Sequence, residues 1–377
     1  MNSVGHINHG LWTHPRDESH RFNELNYWTD LAKTLEQDLT LKESIQLPSH
    51  DPSTLISAMA AVTQNLGFGV TVNLSYETPY QFARRFASLD HLTQGRIGWN
   101  IVTGFGKVLG KMMQYKKISK SVFLLILKKF IKLTIKGAFI KAKRTPVLFQ
   151  AGASPRGLAF STRHAECVFI GGDQPAKIKQ QVDKIRELAV QQGRNPEDIK
   201  IFVGITVVTA ETDELAQEKL AEYARYASPE AGLAHFSSSV GIDLSKYADD
   251  EAIPYQQTNS IASVNNKFKE NQITPNDLKA QHQLGGRYPL IVGSGIDGFN
   301  LTRTVAPESH HDFIHFVIPE LQQRGRFKTK YESGSLRNKI FKQGDHLTQQ
   351  HPAADFRCQN SNYNNSIETA DRQKQTA

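Results

Sequence analysis

Apolar residues along the chain follow two rhythms. Short apolar runs bounded by glycine, proline or polar residues occur at Val70–Leu74, Ile97–Val102, Thr145–Gln150, Cys167–Ile170 and Ile199–Ala210. Such runs predict strands buried on both faces, as in a parallel sheet. Between them apolar residues recur at helical spacing. In Asn23–Gln37 they are Leu25, Trp28, Leu31, Ala32 and Leu35. Further helices are predicted over Ser53–Thr63, with Asp51 or Ser53 as cap, and over Pro79–Leu92, with Pro79 in the first turn. Leu158–His164, Pro175–Gln192 closed by Gly193, Thr212–Tyr226 and His311–Arg324 complete the set. Strand, helix and strand in succession build parallel α/β folds.

The rhythm breaks in four places. Asp38–Pro52 is polar and irregular. Residues 107–143 are rich in Lys, Ile, Leu and Phe, and contain no acidic residue. Residues 227–285 are polar and read as a long, partly helical insertion that would serve as a lid. Two short strand-like pieces, Leu290–Ser294 and Gly298–Leu301, follow one another with no helix between them. Past Arg326 the chain is polar, and 331–377 reads as an extended C-terminal tail after a single barrel domain over 1–330.

Composition changes this picture little, and charge changes it in one respect. Of 377 residues, 39% are hydrophobic and 22% charged, enough apolar content for a sizeable core. The net charge is +8, yet Lys107–Arg144 alone holds eleven Lys and one Arg with no Asp or Glu. The remainder is therefore net acidic, and a nucleic-acid partner is not expected. The basic segment has two readings: an amphipathic helix for a membrane surface or acidic partner, or a stretch foreign to the fold. Its mismatch with both flanks favours the second. Its longest uncharged run, Ser121–Leu127, is too short to span a bilayer. The two cysteines, Cys167 and Cys358, are far apart and suggest neither a disulfide framework nor a zinc site. Without a secretory-type leader, a cytoplasmic location is expected.

Candidate chemistry gathers at strand ends. Gly95–Gly104 runs from a turn into a buried strand with a polar end, carrying Asn100 and Thr103. Asn100 is either satisfied inside the core or part of a site where the backbone approaches a ligand. In Val70–Leu74 the small polar residues Thr71 and Asn73 alternate with apolar ones. Gly152, Ala153 and Ser154 lie between a strand and a helix, where free N–H groups hold phosphate well, although an ordinary turn looks the same. His6, His9, His14 and His20 lie near the start, but a glycine-rich loop without carboxylates is a poor metal site, and no metal is expected. His9 and Trp12 better fit a loop facing a ligand at a barrel mouth.

Three stretches together go further: Trp99–Thr103, Phe149–Ser154 and Asp297–Leu301. In this order the chain resembles the bacterial-luciferase-like flavin monooxygenases. Within them it is similar to the group of nitrilotriacetate monooxygenase component A, pristinamycin synthase and dibenzothiophene-sulfone monooxygenase. The resemblance covers most of residues 1–104 and 145–330. It implies a TIM-type (β/α)8 barrel that binds reduced FMN (FMNH2), supplied by a separate NAD(P)H:flavin reductase. O2 is then the co-substrate for oxidising or cleaving a C–N or C–S bond of a small molecule. The resemblance also implies a homodimer. It places Thr71 and Asn73 against the flavin ring, and Asn100 and Thr103 beside it. Gly152, Ala153 and Ser154 would lie on the phosphate, and His9 and Trp12 at the substrate mouth.

The chain also departs from that family. The family's second strand, with a carboxylate facing the flavin, is expected near Gln37–Lys42, where only Asp38–Lys42 stands. The lysine-rich segment replaces an acidic helix with a cofactor-facing motif, and the helix before the last strand is missing. An incomplete barrel is therefore expected, because a lost strand exposes two edges and a lost helix removes the crossover that a parallel neighbour needs. The alternative function is a catalytically impaired remnant with a defective flavin site.

Overall fold

The computed structural model describes residues 13–21, 24–37, 51–73, 78–102, 144–151, 155–172, 174–227 and 294–354, with positions 229, 233, 242, 244–255, 268 and 272–281 between the last two. Six strands lie side by side in chain order: β1 (Phe68–Asn73), β2 (Ile97–Val102), β3 (Val147–Ala151), β4 (Cys167–Ile170), β5 (Lys200–Thr206) and β6 (Gly298–Thr302). Every neighbouring pair is parallel. The sheet curls into a half-barrel, so the fold is the α/β, TIM-type one expected, incomplete among the described residues.

Both faces of the sheet bury apolar residues, and the inner face also carries polar ones toward the strand ends. On the outer face Phe68, Val70, Val72, Ile97, Trp99 and Ile101 pack against Trp28 of α1 (Leu25–Gln37), Ile56 and Met59 of α2 (Pro52–Ala61), and Phe82 and Phe86 of α3 (Pro79–Leu92). A second outer cluster joins Val168, Ile201 and Val203 to Ile178, Val182 and Ile185 of α5 (Pro175–Gln191); α4 (Pro155–His164) precedes β4. Leu301 of β6 packs on the first cluster, which also holds Phe68 and Val70 of β1. The two ends of the sheet thus share one core, as a curled barrel wall requires.

Local signals set the helix starts. The Asp51 side chain accepts from the Ser53 N–H, and Thr78 and Gln81 form a capping box ahead of α3. At the turn before β2, Gly95 has φ +82, which glycine adopts without strain. Buried Arg96 donates to the carbonyls of Thr93, Leu66 and Ala60, so one guanidinium ties α2 to the start of β2.

Inside the curl an aromatic band crosses from β3 to β5. Phe149 and Phe169 stack at 5.6 Å, and Phe169 lies 6.1 Å from Phe202. Glycines make room for it. A Cβ at Gly98 would lie 2.6 Å from the Phe149 ring, and one at Gly298 2.8 Å from Phe202.

Three expectations are corrected. The chain past Arg326 is not an extended tail as far as residue 354. A helix, α10 (Leu336–Phe341, after α8 Glu308–Asp312 and α9 Ile318–Gln323), lies below the aromatic band, where Leu336 packs with Val147, Phe149, Cys167 and Phe202. Arg337 is buried there, bidentate to Glu166 at 2.6 and 2.8 Å. Sequence periodicity missed this because the segment is polar on average; its few apolar residues and its arginine meet partners far away in the chain. Second, the connection into the last strand does not prevent parallel pairing. β5 and β6 are in register from Phe202 opposite Gly298 to Thr206 opposite Thr302. Helix α6 (Asp213–Tyr226) lies in that connection and supplies crossover length. Third, the polar region 227–285 has an apolar cluster of its own: Ile242, Leu244, Ile253, Phe268 and Leu278, the last on α7 (Pro275–Gln281). Residues 38–50, the lysine-rich 107–143 and 290–293 lie outside the described residues.

Candidate active site at the carboxyl ends of the strands

In β/α barrels the site forms where strands end and loops begin. Strand alternation places Gly69 and Thr71 on the inward face of β1, and Gly98, Asn100 and Val102 on that of β2. Thr71 and Asn100 stand in register, and the Asn100 Nδ2 donates to the Thr71 Oγ1 at 3.1 Å. Asn100 is 5% exposed, and its Oδ1 is buried with no hydrogen-bond partner among the described residues. Its donor is satisfied inside the sheet, as the core reading expects, while its acceptor has no partner among the described residues. The backbone of Asn73 is in register with that of Val102. Thr103, Gly152, Ala153, Ser154, His9 and Trp12 lie outside the described residues.

The rim beyond β6 holds an ionic network that the sequence reading missed. The segment after Trp12 crosses to α6 and α8. Arg16 bonds both Glu222 oxygens, at 2.9 and 2.8 Å, and both Glu308 oxygens, at 2.9 and 3.2 Å. Its hydrogen bonds hold the Glu222 carboxyl down at about 2. The buried His14 ring sits edge-on to Tyr223 and Tyr226. Its Nδ1 accepts from the Arg16 N–H, so Nε2 carries the proton toward Glu222 at 3.2 Å. Lys219 reaches Asp312 at 2.7 Å. Buried Asp17 accepts from the Ala306 N–H at 2.8 Å, and Glu18 N–H donates to the Ala306 carbonyl. These pairs are up to 292 residues apart, so no local pattern announces them.

The same rim carries buried polar atoms without partners among the described residues: Thr304 Oγ1, Ser309 Oγ and His310 Nδ1. Burial, with Arg303 adding to it, pushes His310 down to about 3. Among the described residues, no group of three or more His, Cys, Asp or Glu is placed to hold a metal, and no helix is long and apolar enough to cross a membrane.

Residues 11–117 and 129–269 match the luciferase-like monooxygenase family. The chain belongs to the luciferase-like monooxygenases. The match is interrupted between 118 and 128, inside the lysine-rich segment, and includes that segment's two ends. The chain is 37% identical to the long-chain alkane monooxygenase of Geobacillus thermodenitrificans (strain NG80-2), over 96% of this chain and 97% of that protein. It is 33% identical to the dimethyl-sulfide monooxygenase of Hyphomicrobium sulfonivorans, over 95% and 92%. A solved riboflavin lyase with modified FMN and riboflavin superposes with a TM-score of 0.83 at 30% identity, over 95% of this chain and 97% of that one. The group recognised from the motifs is matched too, at 27–28% identity. The alignment to the alkane monooxygenase runs over 434 positions against a chain of 377, so several tens of positions in that relative have no counterpart here. By this kinship the chain is a flavin-dependent monooxygenase of TIM-type fold.

Proposed function

We propose that the chain is the oxygenase of a two-component system. It takes reduced FMN from a separate NAD(P)H:flavin reductase and uses O2 to oxidise or cleave a C–N or C–S bond in a small organic substrate. Asn100 carries this reading. A buried acceptor without a partner calls for a donor, and a flavin ring offers N–H groups of the right kind. Thr71, Asn73 and Thr103 would hold the ring with it. Gly152, Ala153 and Ser154 would hold the phosphate ahead of α4, where free N–H groups face an anion. His9 and Trp12 would face the substrate, on the segment that Arg16 and Asp17 anchor to the rim. When bound, the reduced flavin supplies the oxygen activation that side chains cannot. The protein's share is placement and exclusion of water. The Asn100–Thr71 bond fixes the amide, and the aromatic band with Leu336 below it closes the amino-terminal end of the lumen.

A relative named as component A supports the reductase partner; a homodimer and a cytoplasmic site of action, where reduced nicotinamide is at hand, complete the proposal. The impaired-remnant alternative is not favoured, because six strands pair in continuous register around the Asn100 amide. Titration of the chain with FMN under reducing conditions tests the proposal. Saturable binding is expected, weakened about tenfold in Asn100→Ala, the ~1.4 kcal/mol of one hydrogen bond. Native-like circular dichroism without binding at millimolar FMN favours the remnant.

A further inference from the structure

We propose that Arg16 is a positioning residue for the oxygenase reaction: by clasping the carboxylates of Glu222 and Glu308 it fixes the N-terminal segment at the rim, and with it the range of His9 and Trp12. The reaction rests on the flavin-monooxygenase reading; the clasp rests on the geometry of residues 13–21, 207–227 and 303–312. Beyond the ends of β5 and β6 a small apolar cluster joins Tyr223 and Val305 to Val208 and Tyr226. The N-terminal segment crosses this cluster. The His14 ring lies edge-on to both tyrosines. Asp17 and Glu18 then bond the Ala306 backbone in both directions, and the Asp17 carboxylate also accepts from the Ser19 N–H at 2.9 Å. Buried groups thus hold the base of the segment. Arg16 works from outside. Its side chain is half exposed, and its fork reaches α6 on one side and α8 on the other, with two hydrogen bonds to each carboxylate.

Chain reach carries the clasp's effect to the substrate. Two residues of chain span at most about 7 Å and five at most about 18 Å, so an anchor at His14 bounds where Trp12 and His9 can go. Charge makes Arg16 the sensitive point of that anchor. Glu222 and Glu308 both lie within hydrogen-bond distance of one guanidinium, so their carboxylates are close neighbours. Without the cation they repel, and the rim ends of α6 and α8 are pushed apart. Lys219, 3.6 Å from Glu308 and 2.7 Å from Asp312, offsets this for one carboxylate and leaves Glu222 to His14. Exposed ion pairs add little to overall stability. Loss of the clasp therefore loosens the mouth and spares the fold.

Hydrogen exchange in the full-length chain tests the clasp, with peptides over residues 5–21 read against α2 and β2 as an internal reference. Arg16→Ala should speed exchange in that segment about tenfold and leave the reference within about twofold. Glu222→Gln in the same chain removes the repulsion and should return the segment to within about threefold of wild type, which lost packing alone would not do. The reaction is read without organic substrate, where bound reduced FMN and O2 give FMN and hydrogen peroxide. A loosened mouth admits water, so hydrogen peroxide release should rise about fivefold in Arg16→Ala and fall back in the double variant. Segment exchange that is already fast in wild type, unchanged in Arg16→Ala, or not recovered by Glu222→Gln overturns the clasp. Unchanged hydrogen peroxide release from a loosened segment overturns the positioning role. A wild type that binds no reduced FMN overturns the flavin reading instead, and hydrogen exchange still decides the clasp.

Discussion

Asn100 and Arg337 show how differently two buried polar side chains are used. Asn100 has one half of its amide occupied by Thr71 and the other half unspent at the strand end. Arg337 is spent completely: it bonds Glu166, Thr145, Pro146 and the Asp345 carbonyl, and so gathers the starts of β3 and β4. Burial raises the Glu166 carboxyl, but the Arg337 charge and hydrogen bonds outweigh it and hold it below the ordinary range. Arg337→Met would strand a buried carboxylate and lower stability by about 3–5 kcal/mol; Glu166→Gln in the same chain should restore much of it. Urea unfolding of the single and double variants measures both. His351 is a second such residue. Its Nδ1 accepts from the Ala353 N–H and its Nε2 donates to the His164 carbonyl, and burial pushes it down to about 4 from 6.5. Below pH 6.5 the unfolded chain takes up a proton that the folded ring refuses. Stability is therefore present above that pH and falls as the pH drops toward 4, by up to ~1.4 kcal/mol per pH unit. His351→Gln should remove about one proton from that slope in denaturant melts taken across the range; an unchanged slope would exclude His351 as its source.

At the scale of elements, strands and helices were legible because their signals are local. Thr78, Pro79 and Gln81 announce the start of α3, and the run Ile97–Val102 coincides with β2. What the strands do together was less legible. The period of two says that Gly98, Asn100 and Val102 share a face, but not which face is inward. The pairing of Asn100 with Thr71, and the fit of Phe149 over Gly98, decide that. Gly98→Ala should cost about 1–3 kcal/mol by forcing the Phe149 ring aside, while Gly204→Ala should leave the melting temperature unchanged within error. A thermal-shift comparison of the two distinguishes a filled level of the barrel from an open one.

For the whole molecule, distant segments close what the six strands leave incomplete. Leu336 fills the lower lumen from the far end of the chain, and its backbone N–H donates to the Gly95 carbonyl. Leu336→Ala should lower stability by about 2–5 kcal/mol and loosen the band above it, read as a lower melting temperature and increased dye binding. Arg16 and Asp17 do the corresponding work at the mouth, where they anchor the N-terminal segment to α6, α8 and the end of β6.

The sequence alone determined the class and much of the chemistry on offer. Apolar runs separated by amphipathic stretches dictate parallel α/β layering, since neither kind of segment can bury its apolar residues alone. The motifs around Asn100, Gly152 and Asp297 carried the kinship. Tertiary structure alone decided which polar groups meet. The approach of Arg16 to Glu308, of Arg337 to Glu166 and of Leu336 to Phe149 joins residues from 171 to 292 positions apart, and no periodicity encodes such distances. It also decided where the curl is packed and where it is open. That follows from ring placement across neighbouring strands, so Gly98 and Gly204, alike in sequence, have opposite surroundings.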